Sequence, residues 1–163
     1  MIEFAFPKSV DINPTAACNL ACEFCWGPDH KIKDGLNTDK WKSVIDFLSE
    51  NGTRSITFTG GEPLLRKDII QLLQYSKDKG MRITLSTNTI LIPKLGEAVL
   101  PLIDEIGIPF DSSSKETNLA MRQGGINNFE SQVYALENAK RINPNIHVTV
   151  RTVVSKVNKD ELI

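Results

Sequence analysis

Cysteine and histidine are scarce in this chain of 163 residues, which contains three cysteines and two histidines. The three cysteines all fall within residues 18–25. An odd number in one cluster does not make a disulfide framework and favours thiols that stay reduced to bind metal. With only His30 and His147, the sequence offers no serine–histidine–aspartate arrangement for nucleophilic catalysis. We interpret the cysteine cluster as a site that binds a metal.

The sequence also lacks a charge excess and a long apolar run. The formal net charge is −1 and the basic residues are spread out, so nucleic acid is not an expected partner. No apolar run approaches the roughly 18 residues that span a bilayer, and the first ten residues have no secretory leader pattern. With 40% hydrophobic residues, we expect one globular, cytoplasmic domain over residues 1–163 and no membrane partner.

Hydrophobic periodicity alternates between strand and helix along the chain. Repeated βα units of this length predict an α/β fold with a parallel sheet covered by helices, as an open sheet or a barrel. The carboxyl ends of parallel strands then form one rim, where sites of such folds lie. The predicted strands cover residues 9–14, 54–59, 81–87, 104–110 and 146–154, and the predicted helices cover residues 37–52, 67–80, 92–100 and 127–142.

Unusual sequences follow each of the first four predicted strands and should meet at that rim. "CNLACEFCW" (18–26) follows the first strand and "TGGEP" (59–63) the second. "STNT" (86–89) follows the third strand and "FDSSS" (110–114) the fourth.

The spacing Cys18-x3-Cys22-x2-Cys25 predicts a site for a soft metal. Two centres fit three thiolates. One is a zinc ion completed by His30, the histidine close in sequence, which would make a non-catalytic Cys3His binding module. The other is an iron–sulfur cluster with one iron left without a cysteine.

The residues on the next loops each have a functional and a plain interpretation. Gly60 and Gly61 allow close backbone approach to a ligand and Glu62 can accept from a ligand ammonium, but the same residues can form an ordinary turn with an exposed glutamate. Ser86 and Asn88 could bind ribose hydroxyls or cap a helix. Arg122 could pair with a ligand carboxylate or be solvated.

Taken together, these motifs resemble the radical S-adenosylmethionine (radical SAM) enzyme superfamily of the CxxxCxxC type. The resemblance runs from about Val10 to Asn158. It is carried by the three cysteines with Phe24 before the last, then by Gly60-Gly61-Glu62, Ser86-Thr87-Asn88, Asp111 and Arg122. The combination favours the cluster over zinc.

The resemblance implies a partial (β/α) barrel, of which the chain covers about five strands and lacks the C-terminal part. It also implies that Cys18, Cys22 and Cys25 hold a 4Fe-4S cluster whose fourth iron binds S-adenosylmethionine. Reductive cleavage then gives a 5′-deoxyadenosyl radical that abstracts hydrogen from a substrate, with no catalytic side chain required. The residues implied in cofactor binding are Phe24, Gly60, Gly61, Glu62, Ser86, Asn88, Asp111, Arg122, Val153 (or Val154) and Asn158.

Further expectations concern partners. The expected substrate is a peptide, as in maturases, or a nucleotide or other small molecule, as in viperin-like members. The expected electron donor is flavodoxin or ferredoxin. An unpaired edge after the fifth strand predicts self-association. Thr89 stands where the third-strand motif usually has glycine, which predicts an altered turn there.

Overall fold

The computed structural model describes residues 5–25, 35–125 and 127–161. Within these ranges, strands and helices alternate as the sequence predicts. The strands are β1 (Ser9–Ile12), β2 (Ser55–Phe58), β3 (Arg82–Ser86), β4 (Glu105–Pro109) and β5 (His147–Arg151). The helices are α1 (Thr38–Glu50), α2 (Ile69–Asp78), α3 (Ile92–Val99), α4 (Lys115–Met121) and α5 (Asn128–Ile142).

All neighbouring strands pair in parallel, in the order β1-β2-β3-β4-β5. The sequential order means that each helical connection leads to the adjacent strand, as in a barrel wall. The predicted α/β fold with about five parallel strands is therefore confirmed.

The core lies between the sheet and its helices. Alternate strand residues face the helices and are fully buried, including Ile56 and Phe58 of β2 and Ile106 and Ile108 of β4. Their partners from the helices include Ile45 of α1 and Leu72 of α2. Because side chains alternate along a strand, the residues between them face the opposite, concave side of the sheet.

The boundaries depart from the sequence predictions in a few places. Helix α1 is capped by Asn37, whose side chain accepts from the Lys40 amide at 3.0 Å, rather than by Thr38 or Asp39. Helix α4 was not predicted. Strand β5 ends at Arg151, three residues earlier than predicted, because its pairing with β4 ends there.

Apolar side chains are exposed near β5, the last strand of the sheet. Val150 is 50% exposed, Val154 69% and Val157 58%. Among the described residues β5 pairs only with β4, and self-association through this edge stays a prediction. None of the helices in the described ranges has the length and apolar character to cross a membrane.

Candidate functional site

The cysteine loop follows β1 and forms one wall of a cavity at the carboxyl ends of the strands. Cys18 and Cys22 are half-buried, Cys25 is exposed, and all three line this cavity of about 330 Å³. A turn brings the Cys25 amide within 3.0 Å of the Cys22 carbonyl. The loop is also fixed from the far side, since the Ala21 amide donates to the carbonyl of Gln123 beyond α4 at 2.7 Å.

The glycine pair after β2 packs directly against the cysteine loop. The Gly61 amide donates to the Thr15 carbonyl at 3.0 Å, and the Glu62 amide donates to the Ala17 carbonyl at 2.7 Å. Gly60 has φ of +116°, and a Cβ on Gly61 would lie 2.2 Å from the Ala17 oxygen. Both positions require glycine because a side chain there would push the cysteine loop away. The glycine pair was predicted to let the backbone approach a ligand closely, and its close contact is with the backbone of the cysteine loop. Both glycines also line the cavity.

Glu62 is fully buried behind the cavity wall. Its Oε1 accepts from the Leu64 amide at 3.0 Å and from Thr87 Oγ1 at 2.8 Å, and its Oε2 accepts from the Asn88 amide at 2.6 Å. The alternative of an exposed glutamate in a plain turn is wrong. The side chain does not line the cavity among the described residues, so its hydrogen bonds serve to hold the loop after β3.

Burial dominates the ionisation of Glu62. Loss of hydration raises the pKa of its carboxyl group from 4.5 to about 7, against the three hydrogen bonds that lower it. Since the folded pKa lies above the unfolded value, the folded chain binds the extra proton between pH 4.5 and about 7. The free energy of unfolding should therefore fall as pH rises through this window, by about 3 kcal/mol from this group.

The Glu62→Gln variant should lack this decline because the amide does not titrate. Urea unfolding at several pH values between 4.5 and 7 measures the slope for the wild type and the variant. Glu137→Gln, at an exposed position of α5, is the matched control and should keep the wild-type slope. Equal slopes for the wild type and Glu62→Gln would contradict the account of Glu62.

Ser86 and Asn88 lie at the carboxyl end of β3, and both line the cavity. The side-chain Nδ2 of Asn88 donates to Asn19 Oδ1 at 2.7 Å and lies 3.9 Å from Cys18 Sγ. Thr89 adopts φ of +71°, a region that glycine favours and that is strained for threonine. The altered turn expected from this residue stays a prediction. The hydrogen bond from Asn88 to Asn19 links the loop after β3 to the cysteine loop.

Asp111 and Arg122 form a buried ion pair at the end of β4. Asp111 Oδ2 accepts from Arg122 Nε at 2.6 Å, and Oδ1 accepts from Nη2 at 3.3 Å and from the Val153 amide at 2.9 Å. The Asp111 side chain is fully buried, whereas Arg122 is 12% exposed and lines the cavity. The Arg122 guanidinium also lies 5.1 Å above the Phe24 ring. Arg122 can therefore face a ligand while Asp111 holds the Arg122 guanidinium in place.

Asn158 is fully buried and connects the loops after β4 and β5. Its Nδ2 donates to the carbonyls of Asp111 and Val153, each at 2.8 Å, and its Oδ1 accepts from the Ser155 amide at 2.8 Å. Val153 lines the cavity, but Asn158 does not. Asn158 thus stabilises the loop that presents Val153.

The structure brings most of the predicted site residues to one cavity. Those lining it are Cys18, Cys22, Cys25, Gly60, Gly61, Ser86, Asn88, Arg122 and Val153. Phe24, Glu62, Asp111 and Asn158 support it from behind or beside. Sequence reasoning missed other lining residues, among them Gly107 and Arg151. A glycine inside a predicted strand signals close approach of another group and could have pointed to both.

The three cysteines are the donor set that a metal centre in this cavity would use. Burial raises the pKa of the Cys18 and Cys22 thiols, and a bound metal cation would favour their thiolate forms. Across the described residues, no three His, Cys, Asp or Glu side chains converge closely enough to hold one metal ion, although three cysteines face one cavity. One thiolate for each of three irons fits this arrangement better than three thiolates on one zinc. His30, the proposed fourth zinc ligand, lies outside the described residues.

Comparison with known proteins matches the chain to a family model. Residues 12–163 match the model of the radical SAM superfamily. The S-adenosylmethionine-dependent nucleotide dehydratase of Selenomonas ruminantium is 32% identical over 163 residues, covering 93% of this chain and 58% of that protein. The PqqA peptide cyclase of Bradyrhizobium diazoefficiens is 32% identical over 164 residues, covering 98% of this chain and 42% of that protein. The chain thus spans about half the length of these relatives.

A solved structure shares the fold. The crystal structure of Streptococcus suis SuiB bound to the precursor peptide SuiA superposes with a TM-score of 0.78 at 21% identity, over 97% of this chain and 36% of that one. This likeness confirms the partial-barrel architecture.

Proposed function

The chain belongs to the radical SAM superfamily, whose cofactors are a 4Fe-4S cluster and S-adenosylmethionine, and on that premise we propose that it forms the core of a radical SAM enzyme. One observation carries the proposal. Three cysteines from one loop line the same cavity as the glycine pair of the next loop, and backbone hydrogen bonds join the two loops. The five strands share one sheet and one core, which supports treating the chain as a single domain.

The protein's own contribution would be to hold and orient the two cofactors. Cys18, Cys22 and Cys25 would bind three irons, leaving the fourth for S-adenosylmethionine. When bound, the reduced cluster would supply the electron that cleaves S-adenosylmethionine, and the 5′-deoxyadenosyl radical would take hydrogen from the substrate.

S-adenosylmethionine would lie against the remaining lining residues. Gly60 and Gly61 line the cavity beside the cysteines, so their backbone would lie against its methionine end. Arg122 would pair with its carboxylate and keep its ion pair with Asp111. Ser86, Asn88 and Val153 would hold the adenosine, with Phe24 beside the adenine. Glu62 and Asn158 would act indirectly by fixing the loops after β3 and β5.

The substrate would be a peptide or a small molecule. A peptide cyclase and a nucleotide dehydratase are both about equally similar to this chain, which supports keeping the two classes. Flavodoxin or ferredoxin would be the electron donor, and the cytoplasm the compartment in which the thiols stay reduced.

Metal analysis after reconstitution without oxygen tests the proposal. We expect about four irons and four sulfides per chain and a broad absorption at about 400 nm, as thiolate-bound clusters give. One zinc ion per chain and no sulfide under the same conditions would contradict the proposal and favour a Cys3His module. Adding zinc in competition with iron makes the measurement decisive between the two.

A further inference from the structure

The concave side of the sheet is polar where it meets the cavity. On β2, Thr57 lies between the fully buried Ile56 and Phe58 and therefore points to the other side. The same alternation places hydroxyl-bearing or charged residues along the concave side of β3 and β5. These are Thr84, Ser86, Thr149 and Arg151. A ligand beneath the rim would meet hydrogen-bonding groups on these three strands.

Arg151 reaches from β5 across β4 to β3. Its Nη1 donates to Ser86 Oγ at 2.8 Å, although Ser86 pairs with Gly107 and Arg151 pairs with Pro109 in the sheet. A Cβ on Gly107 would lie 2.9 Å from Arg151 Cζ and 3.0 Å from Nε. Glycine inside a strand costs about 0.5–1 kcal/mol, and here its position is explained by the guanidinium that lies over it.

The two arginines that line the cavity differ in their charge partners. Arg122 is paired with the buried Asp111. Arg151, in contrast, has no carboxylate within 4 Å among residues 5–25, 35–125 and 127–161. Glu105 on the same side of the sheet is paired with Arg82 at 3.4 Å and accepts from Thr149 at 2.9 Å. Within the described chain, Arg151 is therefore the cavity's unpaired positive charge.

We propose that Arg151 binds an anionic group of the substrate, a carboxylate or a phosphate, over the surface that Gly107 leaves open. The proposal rests on the proposed function, because it requires a substrate in this cavity. A guanidinium offers a planar fork of donors that matches both kinds of oxyanion, and Ser86 fixes one end of that fork. Arg151 is exposed, so its guanidinium is hydrated until an anion replaces the water.

The test measures the binding of two probe anions, pyrophosphate and succinate, by isothermal titration calorimetry. The samples are the reconstituted wild type, Arg151→Gln, Arg151→Lys and Arg141→Gln, each with and without S-adenosylmethionine. Arg141 is an exposed arginine on α5 that pairs with Glu97, so its variant removes the same charge away from the cavity.

We expect the wild type and Arg141→Gln to bind at least one probe, and Arg151→Gln to bind it about tenfold to hundredfold more weakly. Arg151→Lys should fall between them because lysine keeps the charge and loses the fork. Binding of pyrophosphate alone assigns a phosphate group, and binding of succinate alone assigns a carboxylate. The affinity for S-adenosylmethionine should fall by less than the affinity for the probe in Arg151→Gln, because Arg151 contacts the proposed cofactor site only through Ser86.

Three results would overturn the proposal. The wild type could bind neither probe, or Arg151→Gln could bind both as well as the wild type does. The affinity for S-adenosylmethionine could fall in Arg151→Gln while probe binding stays unchanged, which would assign Arg151 to the methionine carboxylate. Probe binding does not require cleavage of the cofactor, so the two proposals can fail separately. If the chain holds no iron–sulfur cluster but still binds a probe through Arg151, the proposed function is wrong and the anion site stands.

Discussion

Replacing any one of Cys18, Cys22 or Cys25 by alanine should abolish the iron–sulfur cluster. The chain has three cysteines in total, so no other thiolate can take the vacant position. A cluster held by two thiolates loses one of its three protein bonds, and we expect bound iron and sulfide to fall about tenfold or more. Iron and acid-labile sulfide are measured after reconstitution and desalting without oxygen.

Histidine variants provide the control for the rival metal site. His30→Ala should keep the full cluster, as should His147→Ala, which removes the other histidine from an exposed position of β5. If His30→Ala loses metal while His147→Ala keeps it, His30 is a ligand and the assignment of three cysteines alone is wrong. Circular dichroism should be unchanged in all five variants because the cysteines are half-buried or exposed.

Asp111→Ala should produce the largest loss of stability among the residues that support the site. The change leaves the Arg122 guanidinium, 12% exposed, without its carboxylate, and it removes the acceptor of the Val153 amide. Breaking a buried pair in this way costs about 3–5 kcal/mol, a large part of the stability of a small domain. Urea unfolding of the metal-free chain measures the difference.

Two further variants separate the ion pair from general damage. Glu97→Ala breaks an exposed pair with Arg141 and should cost less than about 1 kcal/mol. Asp111→Ala combined with Arg122→Met removes both charges and should recover part of the loss. A loss of under about 1 kcal/mol for Asp111→Ala alone would mean that the pair is not what holds Arg122 in place.

The sequence predicted the order of strands and helices because each has a clear period. Strand β2 combines β-branched and aromatic residues, and α1 places Ile45 and Leu48 on one buried face. Helix α4 escaped prediction because it has seven residues and buries only Asn118 and Met121, so it shows no apolar period. Its one local signal was Ser114, whose hydroxyl accepts from the Thr117 amide at 3.3 Å at the helix start.

The candidate site was predicted where a motif is local and missed where distant chain segments meet. The cysteine spacing and the glycine pair can be read from short stretches of sequence. The role of Glu62 cannot be read from a short stretch, because two of its three hydrogen-bond donors, Thr87 and Asn88, come from the loop after another strand. Arg151 depends in the same way on Gly107, which lies on the neighbouring strand.

Cleavage of S-adenosylmethionine by the reduced, reconstituted chain tests the central claim most directly. Incubation with dithionite should yield 5′-deoxyadenosine and methionine in equal amounts, and both products should be absent without dithionite and in Cys22→Ala. Chromatography of the quenched reaction quantifies both products. A wild-type sample that contains about four irons and four sulfides per chain, binds S-adenosylmethionine and leaves it intact after reduction would contradict the account.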